Sequence, residues 1–319
     1  LMRSLKHQDL VRYYKEGESA DNYIYAEQRS NLMLVAGNHY ARKDSVFLGR
    51  LRDSKHMSHE QKLRLTKNHI QRICKIYENN ILTQAPGVSV SPKNESELQD
   101  QKVAEICNSV WEDIKYRHRF SDRIREYCQD YIRIGECFTK IFWDETKGQF
   151  LGYEQAVDEF GQPMVDEMGQ PVQDTARPKF SGDLVFERHF GFNVFRALEA
   201  KNLDESWFVG IRKMVDIDDL KARVGDDEEK LKFIQESRDE TYQVFDGQSS
   251  SYQKANNQCL VLEMYIRPSQ QFPKGYYYIY TTAGVLFEGE LPFGIFPIVY
   301  TGFDEVPTNP RYHSIIKHL

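Results

Sequence analysis

The spacing of apolar and polar positions changes once along the chain, near residue 135. Before that point apolar residues recur at helical steps. Residues 21–53 fit one long helix or a helix pair. From His59 to Gln84, the positions Leu63, Ile70, Ile73, Tyr77 and Ile81 follow three- and four-residue steps, and Pro86 with Gly87 ends the run. Val88 to Val90 is an extended link. A third helix is expected from Asn94, a good N-cap with Glu97 three residues on. Its stripe is Val103, Ile106, Val110 and Ile114. A fourth, from Ser121, turns Ile124, Tyr127 or Cys128, and Tyr131 inward, and Gly135 closes it.

After Gly135 the pattern predicts strands. Cys137 to Trp143 is the first, and a turn over residues 144–148 returns the chain to a partner strand. The block from Asp158 to Pro163 (DEFGQP) recurs from Asp166 to Pro171 (DEMGQP). Each copy is turn chemistry, so an exposed hairpin insertion near 154–178 is expected. Gly182 to Arg188 and Trp207 to Val215 read as strands. Asp216 caps a short helix with Asp219 at the third position, Gly225 stops it, and residues 226–229 open another. Residues 247–258 are polar and loop-like. Strands follow at 260–266, 276–281, 285–288 and 297–302, rich in tyrosine and phenylalanine. The expected fold class is α+β: a helical region over 1–135, a β-rich region over 136–305, and a new helix beginning in 306–319. Leu1 precedes Met2 and a helical pattern is under way at Leu319, so the expectation is of a longer parent chain.

Composition narrows the class of protein. The chain has 319 residues, 40% of them hydrophobic and 28% charged, enough for two or three domains and far from a disordered composition. The longest apolar runs are short and interrupted, so no membrane partner is expected. The five cysteines, Cys74, Cys107, Cys128, Cys137 and Cys259, are odd in number and form no CxxC pair; they read as reduced thiols.

The net charge of −6 argues against a generally basic nucleic-acid binder, but the charge is segregated. Residues 41–75 hold ten Lys/Arg against three Asp/Glu, whereas 144–174 hold eight acids and one base. Solvated faces of two separate elements explain this most simply. Complementary surfaces on neighbouring copies, or a basic strip facing DNA, are the sharper readings.

Candidate chemistry is sparse. The phosphate-loop, dinucleotide-binding, nucleophile-elbow and HExxH motifs are all missing from the sequence. His56 and His59 form the one close histidine pair, without further ligands in the segment. Asp144, Glu145 and Lys147 match the D/ExK arrangement of metal-dependent nucleases, where acids hold Mg²⁺ and the lysine steadies the attacking water or phosphate. A solvated hairpin tip accounts for the same three residues. Trp111, Trp143 and Trp207 read as core or interface packing. On a strand, Tyr276, Tyr278 and Tyr280 would share one face, with Tyr277 and Ile279 on the other.

The ordered series of segments resembles the portal proteins of tailed phages. The helix ending at Gly135 runs into a strand closing on Trp143 and Asp144. Residues 182–188 lead to Phe192-Asn193-Val194-Phe195 and an acidic stretch through Asp204. The strand from Trp207 precedes a helix capped by Asp216. Glu263 to Pro268, Phe272 to Gly275, Gly289 to Pro292 and Phe296 to Val299 are similar to the late strands, before a helix opening near Pro310. The resemblance spans roughly 61–319 and rests on order, since no single motif in it is specific.

What the resemblance implies is a wing, stem and clip architecture, with the first 135 residues in the wing. It implies a homo-oligomeric ring of about twelve subunits at the portal vertex of a capsid, built in the host cytoplasm. Such a ring passes double-stranded DNA during packaging and ejection and docks the terminase large subunit, head–tail adaptors, and capsid or scaffold proteins. No enzymatic activity and no cofactor are implied, and the net negative charge suits sliding of DNA rather than grip. The alternatives are a metal-dependent nuclease centred on Asp144, Glu145 and Lys147, and a virion adaptor or scaffold without a DNA role.

Overall fold

The computed structural model describes residues 5–39, 41–43, 51–53, 67–83, 87–156, 162–164, 172–200, 203–237, 241–245, 250–254, 257–292, 294–306 and 309–319. The fold is α+β, with helices first and antiparallel sheets after. The described elements are α1 (His7–Val35), β1 (Ala41–Lys43), β2 (Leu51–Asp53), α2 (His69–Thr83), α3 (Leu98–Arg117), α4 (Phe120–Arg133), β3 (Glu136–Asp144), β4 (Phe150–Gln155), β5 (Gln173–Phe180), β6 (Asp183–His189), β7 (Val194–Arg196), β8 (Phe208–Asp216), α5 (Ile217–Val224), α6 (Glu228–Glu236), β9 (Thr241–Phe245), β10 (Ser250–Lys254), β11 (Gln258–Ile266), β12 (Tyr276–Tyr280), β13 (Val285–Glu290), β14 (Ile298–Gly302), β15 (Asp304–Val306) and β16 (Asn309–His313).

Packing divides the chain differently from its linear order. One compact unit gathers residues 1–138, 189–296 and 300–319; the other holds 139–188 and 297–299. The first helices and the late aromatic strands therefore share a unit, although the sequence places them in separate regions.

The larger unit is organised on a five-stranded antiparallel sheet, ordered β13-β12-β11-β8-β7. Its strands have period-two burial on both faces. Leu262, Met264 and Ile266 of β11 turn to one side with Phe208, Tyr278 and Tyr280, and Leu10 and Tyr14 of α1 pack on them. Cys259 and Val261 turn to the other side, where Ile217, Leu220 and Ile234 of α5 and α6 cover them. The tyrosine strand follows the expected alternation: Tyr278 and Tyr280 lie in the α1-side core with Tyr276 against it, and Ile279 packs on the α5/α6 side. A third cluster joins Val35 of α1, Cys74 of α2 and Ile132 of α4 to Ile315 and Ile316.

The helix ends follow local chemistry. Asp216 caps α5 by accepting from Asp218 N at 2.9 Å, and Asp227 caps α6 by accepting from Lys230 N at 3.3 Å. Gly135, at φ +97°, closes α4 with its N–H on Asp130 O at 3.2 Å, and a Cβ there would sit 2.4 Å from the His313 carbonyl carbon.

Four expectations change. The first helix covers 7–35, not 21–53, because Gly37 at φ +92° ends it and 41–43 pairs with 51–53 as a hairpin. The second begins at His69, where Asn68 Oδ1 accepts from Gln71 N at 2.9 Å as a cap; Leu63 lies outside the described residues. Part of the polar stretch 247–258 forms β10, paired with β9. The helix expected in 306–319 is strand β16 followed by a 3-10 turn over Ile315–His318. Ile315 and Ile316 are both buried there.

The smaller unit is built on the three-stranded sheet β14-β3-β6, to which Ile141 N donates from β3 to Pro297 O at 2.8 Å. Strands β4 and β5 form the hairpin expected near 154–178. Phe150 of that hairpin packs edge-on against Tyr153 and Phe180, at ring separations of 5.2 and 5.8 Å. Most of the doubled DE-Gly-Gln-Pro block lies outside the described residues.

Candidate functional site

Two places in the larger unit concentrate features that its fold alone does not demand. The first is a buried ionic cluster. Asp21 of α1, Glu136 of β3, Arg196 of β7 and Arg311 of β16 come from four elements and all lie buried, Asp21 and Arg311 completely. Arg311 is the hub. Its Nη1 donates to Asp21 Oδ2 at 3.1 Å and to Val194 O at 3.0 Å, and its Nε donates to both Glu136 oxygens, at 3.1 and 3.0 Å. Its Nη2 reaches Glu136 and also donates to Gly191 O at 2.7 Å.

Arg196 Nη2 donates to Asp21 Oδ1 at 2.9 Å and Asn309 Oδ1 at 3.2 Å. Two guanidiniums thus meet two carboxylates. Burial works against the charge on Arg311, but Glu136 and Asp21 outweigh it and hold its pKa above the ordinary value. Tyr25 sits over the same cluster; burial pushes its phenol up, and its hydroxyl donates to Val194 O at 2.6 Å. A neutralised, hydrogen-bonded, buried cluster can lock four elements in register; it offers no reactive group to solvent.

The second place is α3. Of its twenty residues only Ala104 is buried. The apolar stripe expected from the sequence exists, and most of it points outward: Val103, Ile106 and Val110 are 58%, 61% and 50% exposed, while Ile114 is half-buried. Leu98 and Tyr116 are exposed as well, on a different face of the helix from the stripe. The link before the helix packs on the side opposite the stripe, where Asn108 clamps it by accepting from Val90 N at 2.8 Å and donating to Val90 O at 2.9 Å. Val88 and Val90 stay exposed beside α3, and an open cavity of about 450 Å³ runs between Val90, Pro92, Ala104 and Asn108. At the other end Trp111 packs edge-on against Phe120 at 5.1 Å, tying α3 to α4. A helix of this length that buries one residue lacks the tertiary packing that normally stabilises it in water. An apolar stripe at helical spacing, left bare over several turns, is the mark of an interaction surface.

The D/ExK residues sit at the end of β3 and in the turn after it. Asp144 Oδ1 accepts from Thr146 N at 3.0 Å and Thr146 Oγ1 at 2.6 Å, and Lys147 Nζ lies 4.0 Å from Asp144 Oδ2. Asp144 is thus committed to its own turn, while Glu145 and Lys147 are exposed. Among the described residues no group of three or more His, Cys, Asp or Glu is placed to hold a metal ion. His56 and His59 lie outside the described residues. Trp207 is packed between Tyr13 and Phe208, at 5.0 and 4.5 Å. Trp143 is not a core residue: it is 57% exposed, its ring lying over Gly182.

The five cysteines are free, three of them buried. Among the described residues no helix is long and apolar enough to cross a membrane. In comparison with known proteins, no family model matches the chain, and no curated protein is significantly similar to it.

Sequence reasoning missed the ionic cluster. Asp21, Glu136, Arg196 and Arg311 are scattered over most of the chain, and none belongs to a local motif. No local signal marks them. The α3 stripe was legible in the sequence; its exposure was not.

Proposed function

We propose that the chain is a non-enzymatic, ring-forming subunit of a phage portal, passing double-stranded DNA and docking terminase and tail adaptors at the capsid vertex. The observation that carries this reading is the bare apolar stripe of α3. A ring subunit needs a surface that is unsatisfied in the single chain and satisfied by the next copy, and Val103, Ile106 and Val110 supply one. The ordered series of segments from Gln61 onward, which resembles portal proteins, supports the same reading. So does the ionic cluster, since a subunit bearing load in a ring gains from elements fixed in a single register.

Negative-stain microscopy with native mass spectrometry on the protein tests the proposal. Rings with a central opening wide enough for duplex DNA are the expected result. A chain that remains a monomer and cleaves duplex DNA in the presence of Mg²⁺ would overturn it and restore Asp144, Glu145 and Lys147 as the centre of interest.

A further inference from the structure

We infer that the solvent face of α2 is a docking surface for the phosphate backbone of duplex DNA. The inference deepens the portal reading by naming where the chain meets its nucleic acid. The exposed positions of α2 are His69, Gln71, Arg72, Lys75, Ile76, Tyr77, Asn79, Asn80 and Thr83, and none is a carboxylate. The one acid of the helix, Glu78, is turned inward, where it accepts from Gln129 Nε2 at 2.9 Å and lies 3.8 Å from Arg133 Nη2. With the acid withdrawn, Lys67, Arg72 and Lys75 present positive charge that no carboxylate among the described residues neutralises. Asn68, Gln71, Arg72, Lys75, Ile76 and Asn79 line one shallow cavity of about 320 Å³.

The donor set decides the class of ligand. Guanidinium, ammonium and carboxamide groups are those that contact phosphate oxygens without reading bases. A protein-binding patch of this kind would carry an apolar centre. Here Ile76 is the single apolar side chain lining the cavity, among five polar or cationic ones. The surrounding sequence points the same way, because residues 41–75 carry ten Lys/Arg against three acids in a chain whose net charge is −6. A cationic face on an acidic protein gives weak, salt-sensitive contact, suited to DNA that must keep moving.

The test is fluorescence anisotropy of a labelled duplex of unspecific sequence, titrated with the protein from about 25 to about 200 mM salt. The variant is R72E with K75E; a control reverses the same charge elsewhere, with K221E and K232E on α5 and α6. All four side chains are exposed, and circular dichroism checks that both variants fold. The expected result is that the α2 variant loses about two units of salt slope and at least about tenfold in low-salt affinity, while the control keeps the wild-type slope. Equal losses in both variants, or no duplex binding by the wild type at low salt, would overturn the inference.

So would a change of assembly state in the α2 variant with DNA affinity intact, which would mark a surface for a second copy. Native mass recorded alongside separates the two readings. Rings with an unchanged slope refute α2 alone. A protein that binds DNA through α2 yet never assembles refutes the ring and leaves α2 standing.

Discussion

Helices α1 and α3 are both long and polar in composition, yet the fold treats them in opposite ways. Thirteen of the 29 residues of α1 are buried, among them Asp21, Glu27, Gln28, Arg29 and Asn31. In α3 one of twenty is buried, and its apolar side chains face outward. A helix with a clean apolar stripe is thus left bare, while a helix studded with charges runs through the core. The difference lies in partners. The charge that α1 brings to the ionic cluster, Asp21, meets two arginines from distant strands, and Gly17 lets the helix approach β7 closely. Among the described residues α3 packs on α4 and on the link held by Asn108. Polarity alone does not tell which helix is central; complementarity does.

The most damaging way to break this contrast is Arg311→Met. It strips Glu136 of its buried cation and leaves Asp21 with Arg196 alone, and is expected to cost about 3–5 kcal/mol, read as a lowered urea midpoint. An unchanged midpoint would show that α1 is held by its apolar contacts alone. Gly17→Ala comes next. Helix propensity favours alanine by about 1 kcal/mol. A Cβ at that site, however, would lie 2.6 Å from the Arg196 carbonyl oxygen. The expected net effect is a loss of about 1–3 kcal/mol in the same unfolding experiment. Asp216→Ala removes a local cap and should cost about 1 kcal/mol.

The other cap, Asp227, gives a test by pH. The Lys230 side chain and the Lys230 N–H hold its carboxyl below the ordinary range. A group depressed in the folded state stabilises above its unfolded pKa and loses that contribution as pH falls through the folded value. Comparing thermal midpoints of the protein and Asp227→Asn should therefore show a gap at neutral pH that narrows in acid.

The smallest expected effect on the isolated chain is that of Ile106→Glu with Val110→Glu, within about 0.5 kcal/mol because both positions are exposed. The same pair should abolish ring assembly by native mass. A large loss of monomer stability instead would mean that α3 is packed within its own chain.

Much of the fold was legible because it depends on neighbours in sequence. The α+β class, strand β3 flowing from Gly135, the caps at Asp216 and the stop at Gly225, and the two-faced tyrosine strand all follow from periodicity and turn chemistry over a few residues. The Asp144 turn was legible for the same reason. The start of α1 was not, because its helical pattern is polar and its burial depends on strands more than a hundred residues away. Strand β16 was mistaken for a helix opening because Arg311 reads as a surface residue until Asp21 and Glu136 are placed around it.

By itself, then, the sequence determined the kinds of elements, most of their ends, the existence of an apolar stripe on α3 and a basic excess over residues 41–75. Only the tertiary structure decided which faces are covered. A side chain's periodicity says that it shares a face with others, whereas its burial depends on whether another element arrives there. For Asp21, Glu136, Arg196 and Arg311 the partners arrive from within the chain; for Val103, Ile106 and Val110, none of the described elements does.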